Sequence, residues 1–154
     1  MTALLPRLLG LCYPACASDG IAGLPAPVLL DFSALAPPRP GNSALAAPPG
    51  LHVRPEIISR RRELPPRRLY DLFKTVALAQ PRTYLHAAFA EQLQAHFVVR
   101  SRRCNYPDLV ALQITPDQMP ALYSRSVYGR SDLGVNRARL VAWLAALDAA
   151  LQNA

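Results

Sequence analysis

The residues best equipped for chemistry lie in one stretch, 121 to 143, where an alternating run passes through a polar elbow into a helical pattern. Its cations are Arg125, Arg130, Arg137 and Arg139, and Ser131, Asp132 and Asn136 are short polar side chains among them. A guanidinium presents a planar fork that fits carboxylate and phosphate. Cations at a helix start oppose the macrodipole unless an acid or a bound anion compensates. A single Asp132 neutralises only one of these arginines, so the expected chemistry is anion binding. A second set, Gln94, His96, Arg100 and Arg102, alternates with apolar Leu93, Ala95, Phe97 and Val99. That pattern predicts a one-sided antiparallel strand with an open polar sheet face able to bind a partner.

Bond-making chemistry has less support. The chain contains no Gly-x-Ser-x-Gly elbow, phosphate-binding loop, His-Glu-x-x-His helix or paired-cysteine zinc motif. Ser131, Asp132 and a histidine make the best catalytic set, yet no spacing fixes a base against a nucleophile. No catalytic residue is assigned, and the expectation is a protein that is not an enzyme. Cys12, Cys16 and Cys104 have neither a disulfide framework nor metal spacing. A ligand cluster of His86, His96 and Cys104 would require a fortunate register, so no metal and no cofactor are expected.

The elements that must position these groups follow from periodicity. From Ala121 to Tyr128, Tyr123, Arg125 and Val127 share one strand face while Leu122, Ser124, Ser126 and Tyr128 share the other. Beyond the elbow, Leu140, Leu144, Leu147 and Leu151 recur at helical spacing beside Trp143, with Asp132 as the expected N-cap between Gly129 and Gly134. Upstream, 52–59 reads as an edge strand carrying Pro55, and Pro65-Pro66 opens a helix striped by Leu69, Leu72, Phe73, Val76 and Ala79. Strands are predicted over 83–89, 92–102, 110–114 and 121–128. The expected fold is α+β: one antiparallel sheet of about five strands with two helices on one face. Its order of strand, helix, four strands, helix is similar to the TATA-binding-protein-like arrangement, a likeness that carries no function.

Residues 1–24 pair a short apolar run with Ala15-Cys16-Ala17, and are expected to form a poorly ordered N-terminus or weak signal-like segment. The run is too short and too interrupted to span a membrane. Residues 25–50 are rich in proline and read as an arm wrapping the domain; residues 51–154 form the single α+β domain. The net charge of +7 comes almost wholly from arginine, Lys74 being the one lysine.

The elbow, Tyr123-Ser124-Arg125-Ser126-Val127-Tyr128-Gly129-Arg130-Ser131-Asp132-Leu133-Gly134-Val135-Asn136-Arg137, resembles the C-terminal signature of domain-of-unknown-function family number fourteen-ninety-nine. Three further stretches fit the same family: Gly41 to Pro48, Gln80 to Thr83, and Tyr106 to Val110. The resemblance covers roughly residues 28 to 150 and implies a bacterial protein of unassigned activity, often with an N-terminal membrane or export segment. It brings no catalytic residues. Ala47 stands where the resemblance leads one to expect cysteine.

The function expected is a non-catalytic binding or structural module whose arginine-rich elbow attracts an anion, with a cell-envelope association as one setting. The partners that fit are an anionic small molecule, a lipid headgroup or an envelope protein. Nucleic-acid binding is the alternative and an enzyme of unknown reaction a further one. The compartment expected is cytoplasmic, or periplasmic if the N-terminus serves as an export signal.

Overall fold

The computed structural model describes residues 13–153, apart from 37, 39, 40 and 53. The first twelve residues, and with them half of the signal-like segment, lie outside the described residues. Pro66 starts helix α1 (Pro66–Leu78), where its fixed φ suits a first turn and its missing N–H costs nothing. Leu69, Tyr70, Phe73 and Ala77 make its buried stripe. Helix α2 (Val135–Gln152) buries Leu140, Trp143, Leu144 and Leu147. Both helices pack on one face of the sheet against Phe97, Val110, Leu112 and Leu122. Phe97 meets Trp143 edge-on at 5.6 Å.

The fold is α+β, with a six-stranded sheet and two helices. The strands are β1 (Ser43–Ala47), β2 (Ile57–Ile58), β3 (Thr83–Phe89), β4 (Gln94–Arg100), β5 (Pro107–Ile114) and β6 (Pro120–Ser126). Their order is β2-β1-β6-β5-β4-β3. Every pairing is antiparallel except that of β1 with β2. Leu93 in the left-handed region, after a short 3-10 turn (Ala90–Gln92), closes the hairpin between β3 and β4.

Two differences from the sequence reading stand out. The stretch Ser43–Ala47, expected inside the proline-rich arm, is a fully buried inner strand paired with β6. Its alanines have poor strand propensity, but small side chains suit a strand covered on both faces: Ala44 and Ala46 meet the helix layer, Leu45 and Ala47 the opposite one. The strand expected over 52–59 shrinks to Ile57–Ile58, which borders the sheet in parallel. Among the described residues the count is therefore six strands, not about five.

The second difference concerns the sheet face expected to be open. Gln94, His96 and Arg100 are only 0%, 8% and 2% exposed. Residues 13–36 lie over them, with Phe32, Leu30 and Leu35 packed on Leu45, Ala111 and Ala121. Arg102 falls beyond β4, in an exposed turn. The cover has a physical cause: a segment that is mostly turn and irregular chain leaves many of its carbonyls without a partner of its own, so they are available to polar side chains on the face it covers.

Residues 13–24 are held in this way. The Arg100 guanidinium donates to the carbonyls of Ala15 (2.5 Å), Gly20 (2.8 Å) and Ala22 (3.1 Å), and Asn105 Nδ2 to those of Cys16 (2.9 Å) and Ser18 (2.8 Å).

Candidate functional site

The elbow is built outward from Asp132. Its Oδ1 accepts the Gly134 N–H (2.9 Å) and its Oδ2 the Asn136 N–H (2.8 Å), so it satisfies the start of α2 from two residues before Gly134. Burial pushes the Asp132 carboxyl up, but the N–H donors of Asn136 and Gly134 outweigh it, and the pKa lies below its ordinary value. The Asp132 N–H in turn donates to the Gly41 carbonyl (2.5 Å). Gly129 and Gly134 both carry positive φ, which lets the chain reverse tightly between β6 and α2.

Behind this turn lies a buried polar network on the helix side of the sheet. Asn136, fully buried, accepts from Ser124 Oγ (2.5 Å) and Arg139 Nη1 (2.8 Å), and donates to the Asn42 carbonyl (3.1 Å) and Ser126 Oγ (3.0 Å). Arg139 also donates to Ser124 Oγ (2.9 Å) and pairs with Asp108 at 2.6 Å, both side chains being about nine-tenths buried. Asp108, Ser124 and Arg139 were missed as partners by the sequence reading. A signal existed: Ser124 and Ser126 share a strand face with buried Leu122, and polar residues on a core face need buried partners.

Arg125, Arg130 and Arg137, the cations expected to bind an anion, are not brought to one place. Strand alternation sends Arg125 to the face opposite α2, while Arg137 is exposed on the first turn of α2, and Arg130 and Ser131 are exposed in the loop. Glu56 lies within electrostatic reach of both Arg137 and Asp132; its carboxyl is raised by burial and by Asp132, with Arg137 opposing. Arg137 therefore has an acid nearby that the periodicity of the chain gave no reason to place there.

Arg125 is exposed as well, and it lines a cavity of about 660 Å³ between the sheet and the covering segment. Its floor includes Tyr123, Leu109, Ala111 and His96, and its outer wall includes Pro25, Pro27, Val28, Leu30 and Leu35. Among the described residues that line it, Arg125 is the only formally charged side chain, and among the described residues it has no hydrogen-bond or ion-pair partner. His96 Nε2 lies 2.7 Å from Gln94 Oε1, which already accepts the Leu30 N–H at 2.8 Å, so Nε2 carries the proton. Burial, with His86 beside it, holds the His96 pKa down at about 4, and burial lowers that of His86. Both imidazoles are neutral at pH 7, leaving Arg125 as the cation of an otherwise apolar and neutral-polar hollow. Among the described residues no group of three or more His, Cys, Asp or Glu side chains could hold a metal ion. No described helix is long and apolar enough to cross a membrane.

A six-stranded α+β domain with a hollow of ligand size under an extended segment is the class of protein that fold and site define. The chain belongs to the family described as a protein of unknown function (DUF1499), which matches residues 36–147. That span takes in β1, the elbow and most of α2. No curated protein matches the chain.

Proposed function

We propose that the chain is a non-catalytic binding module that holds a small amphiphilic anion, a carboxylate with an apolar tail, in the cavity beneath residues 25–36. The observation that supports this reading most is the unpartnered Arg125 guanidinium lining a hollow of about 660 Å³ whose remaining walls are apolar or neutral. Pockets of roughly 300–1,000 Å³ that combine apolar walls with a few polar anchors are the usual form of small-molecule sites. Arg125 would take the carboxylate as a fork, and Tyr123 and Ser43 lie on the same floor. Exposed Arg130 and Arg137 raise the local positive potential and favour anion entry, which keeps the elbow in the proposal without making it the binding pocket. A bacterial setting at the cell envelope, where lipid-like anions are available, belongs to the same proposal and is supported by the family resemblance. Apart from the two-residue edge strand β2, the order β1, α1, four-stranded meander, α2 supports reading the architecture as TATA-binding-protein-like.

The test is calorimetric titration with a medium-chain fatty acid, with the matching alcohol and inorganic phosphate as controls. The acid should bind, and Arg125→Leu should weaken it about 10- to 100-fold, as loss of a charge-assisted hydrogen bond of roughly 1.5–3 kcal/mol implies. Equal affinity for acid and alcohol, or an Arg125→Leu variant that binds as well as the wild type, would refute the reading.

A further inference from the structure

Cys16 and Cys104 are far apart in the chain, yet the fold brings their segments together. Asn105, directly after Cys104, donates its side-chain amide to the Cys16 carbonyl at 2.9 Å and to that of Ser18 at 2.8 Å. Three residues before Cys16, the Tyr13 ring stacks edge-on against Tyr106 with centroids 5.8 Å apart. Arg100 joins the same two segments, reaching the carbonyls of Ala15 (2.5 Å) and Asn105 (3.2 Å). Contacts on both sides of each cysteine hold the segments side by side. Both thiols are free, Cys16 buried and Cys104 half-buried. They are close enough for the charge of one to raise the pKa of the other, after burial, the larger cause, has pushed the Cys16 thiol up and Arg100 has opposed it.

We propose that Cys16 and Cys104 form a reversible disulfide that staples residues 13–24 to the turn between β4 and β5. Half-buried Cys104 is the point of entry, because an external disulfide reaches it without disturbing the core. Its thiolate attacks one sulfur of a small-molecule disulfide such as oxidised glutathione, forming a mixed disulfide and releasing one glutathione thiolate. The Cys16 thiolate then attacks the Cys104 sulfur, which expels the second glutathione thiolate. The two protein thiols lose two electrons and two protons; the glutathione disulfide takes both and becomes two thiols. Cys16 needs no access to solvent, since it reacts only with the sulfur its neighbour already carries. The crosslink would close a loop of nearly ninety residues, the range in which a constrained unfolded chain gives a large stabilisation.

The inference is tested on the full chain, equilibrated with oxidised and reduced glutathione at ratios spanning the cytosolic and periplasmic ranges. Free thiols are counted, and proteolytic peptides are mapped without reduction. Cys12 lies outside the described residues and competes chemically, so fragmentation on the N-terminal side of Pro14 is used to separate it from Cys16. The expected result is loss of two thiols and a linked peptide pair containing Cys16 and Cys104, in the wild type and in Cys12→Ser alike. Oxidised Cys12→Ser should melt roughly 5–15 °C higher than its reduced form. Retention of both thiols in excess oxidised glutathione overturns the proposal. So does a map that joins Cys12 to Cys104, or one with glutathione held on Cys104 and Cys16 free.

Discussion

Replacing Arg100 by methionine removes the group that ties residues 13–24 to the sheet. The guanidinium is 2% exposed, and it donates to the carbonyls of Ala15, Gly20, Ala22 and Asn105. Each of these is a charge-assisted bond, and each carbonyl left buried without a donor costs about 1–3 kcal/mol. The loss is smaller than the total over the four, because the segment can lift and return its carbonyls to water, and because the desolvation cost of a buried cation disappears with it. We expect urea unfolding to show a loss of about 2–5 kcal/mol. Hydrogen exchange should show where the loss falls. The Cys16 and Ala22 amides, bonded to Tyr13 O at 2.8 Å and Asp19 O at 3.1 Å, should exchange much faster, while the amides of α2 should quicken only in proportion to the loss of global stability. Arg100→Lys should fall between, since an ammonium has three donors and no fixed fork. Unchanged protection at Cys16 and Ala22, with a stability loss below about 1 kcal/mol, would show that the segment is held by other contacts.

Two further outcomes follow from the core and the buried imidazole. Phe97→Ala should cost roughly 3–5 kcal/mol in urea unfolding, because the ring is 0% exposed against Trp143 and leaves a cavity; a cost under 1 kcal/mol would mean that the helix layer closes over the gap. For His96, the folded pKa of about 4 lies below its ordinary 6.5 because burial, and then His86, oppose the charged ring. The unfolded chain therefore binds the proton first. The contribution is complete above pH 6.5 and is lost as pH falls towards 4. His96→Gln should flatten the stability profile in that window, apart from a part of the same sign from His86, and the His96 ring resonances of the wild type should stay unprotonated at pH 5. A ring that titrates near 6.5 contradicts the buried neutral assignment.

Periodicity alone carried much of the fold. Leu140, Leu144 and Leu147 lie on the buried side of α2, and Leu93, Phe97 and Val99 on the helix side of the sheet, as their spacing requires, because a helical or pleated backbone fixes which side chains share a face. The family was legible as well, since the elbow and Gly41 to Pro48 were matched by residue types at fixed positions and both fall within residues 36–147. The candidate site was legible in part. Arg125 could be chosen as a cation on a strand face, and Asp132 as the cap, from the local pattern alone.

The partners of those residues were not legible. Ser43–Ala47 lacks the side chains that mark a strand, and becomes one because β6 supplies its ladder on one side. The polar face of β4 looked open because alternation tells only which residues share a face and never what lies across it. Gln94 is clasped by Leu30, 64 residues away, and Arg100 by Ala15, 85 residues away. Local spacing determined the elements, their buried faces and the family motif of this chain. The cavity beside Arg125, the burial of His96 and the bond of Asn105 to the Cys16 carbonyl were decided by tertiary structure, because each depends on contacts between segments whose separation in the chain sets no periodicity.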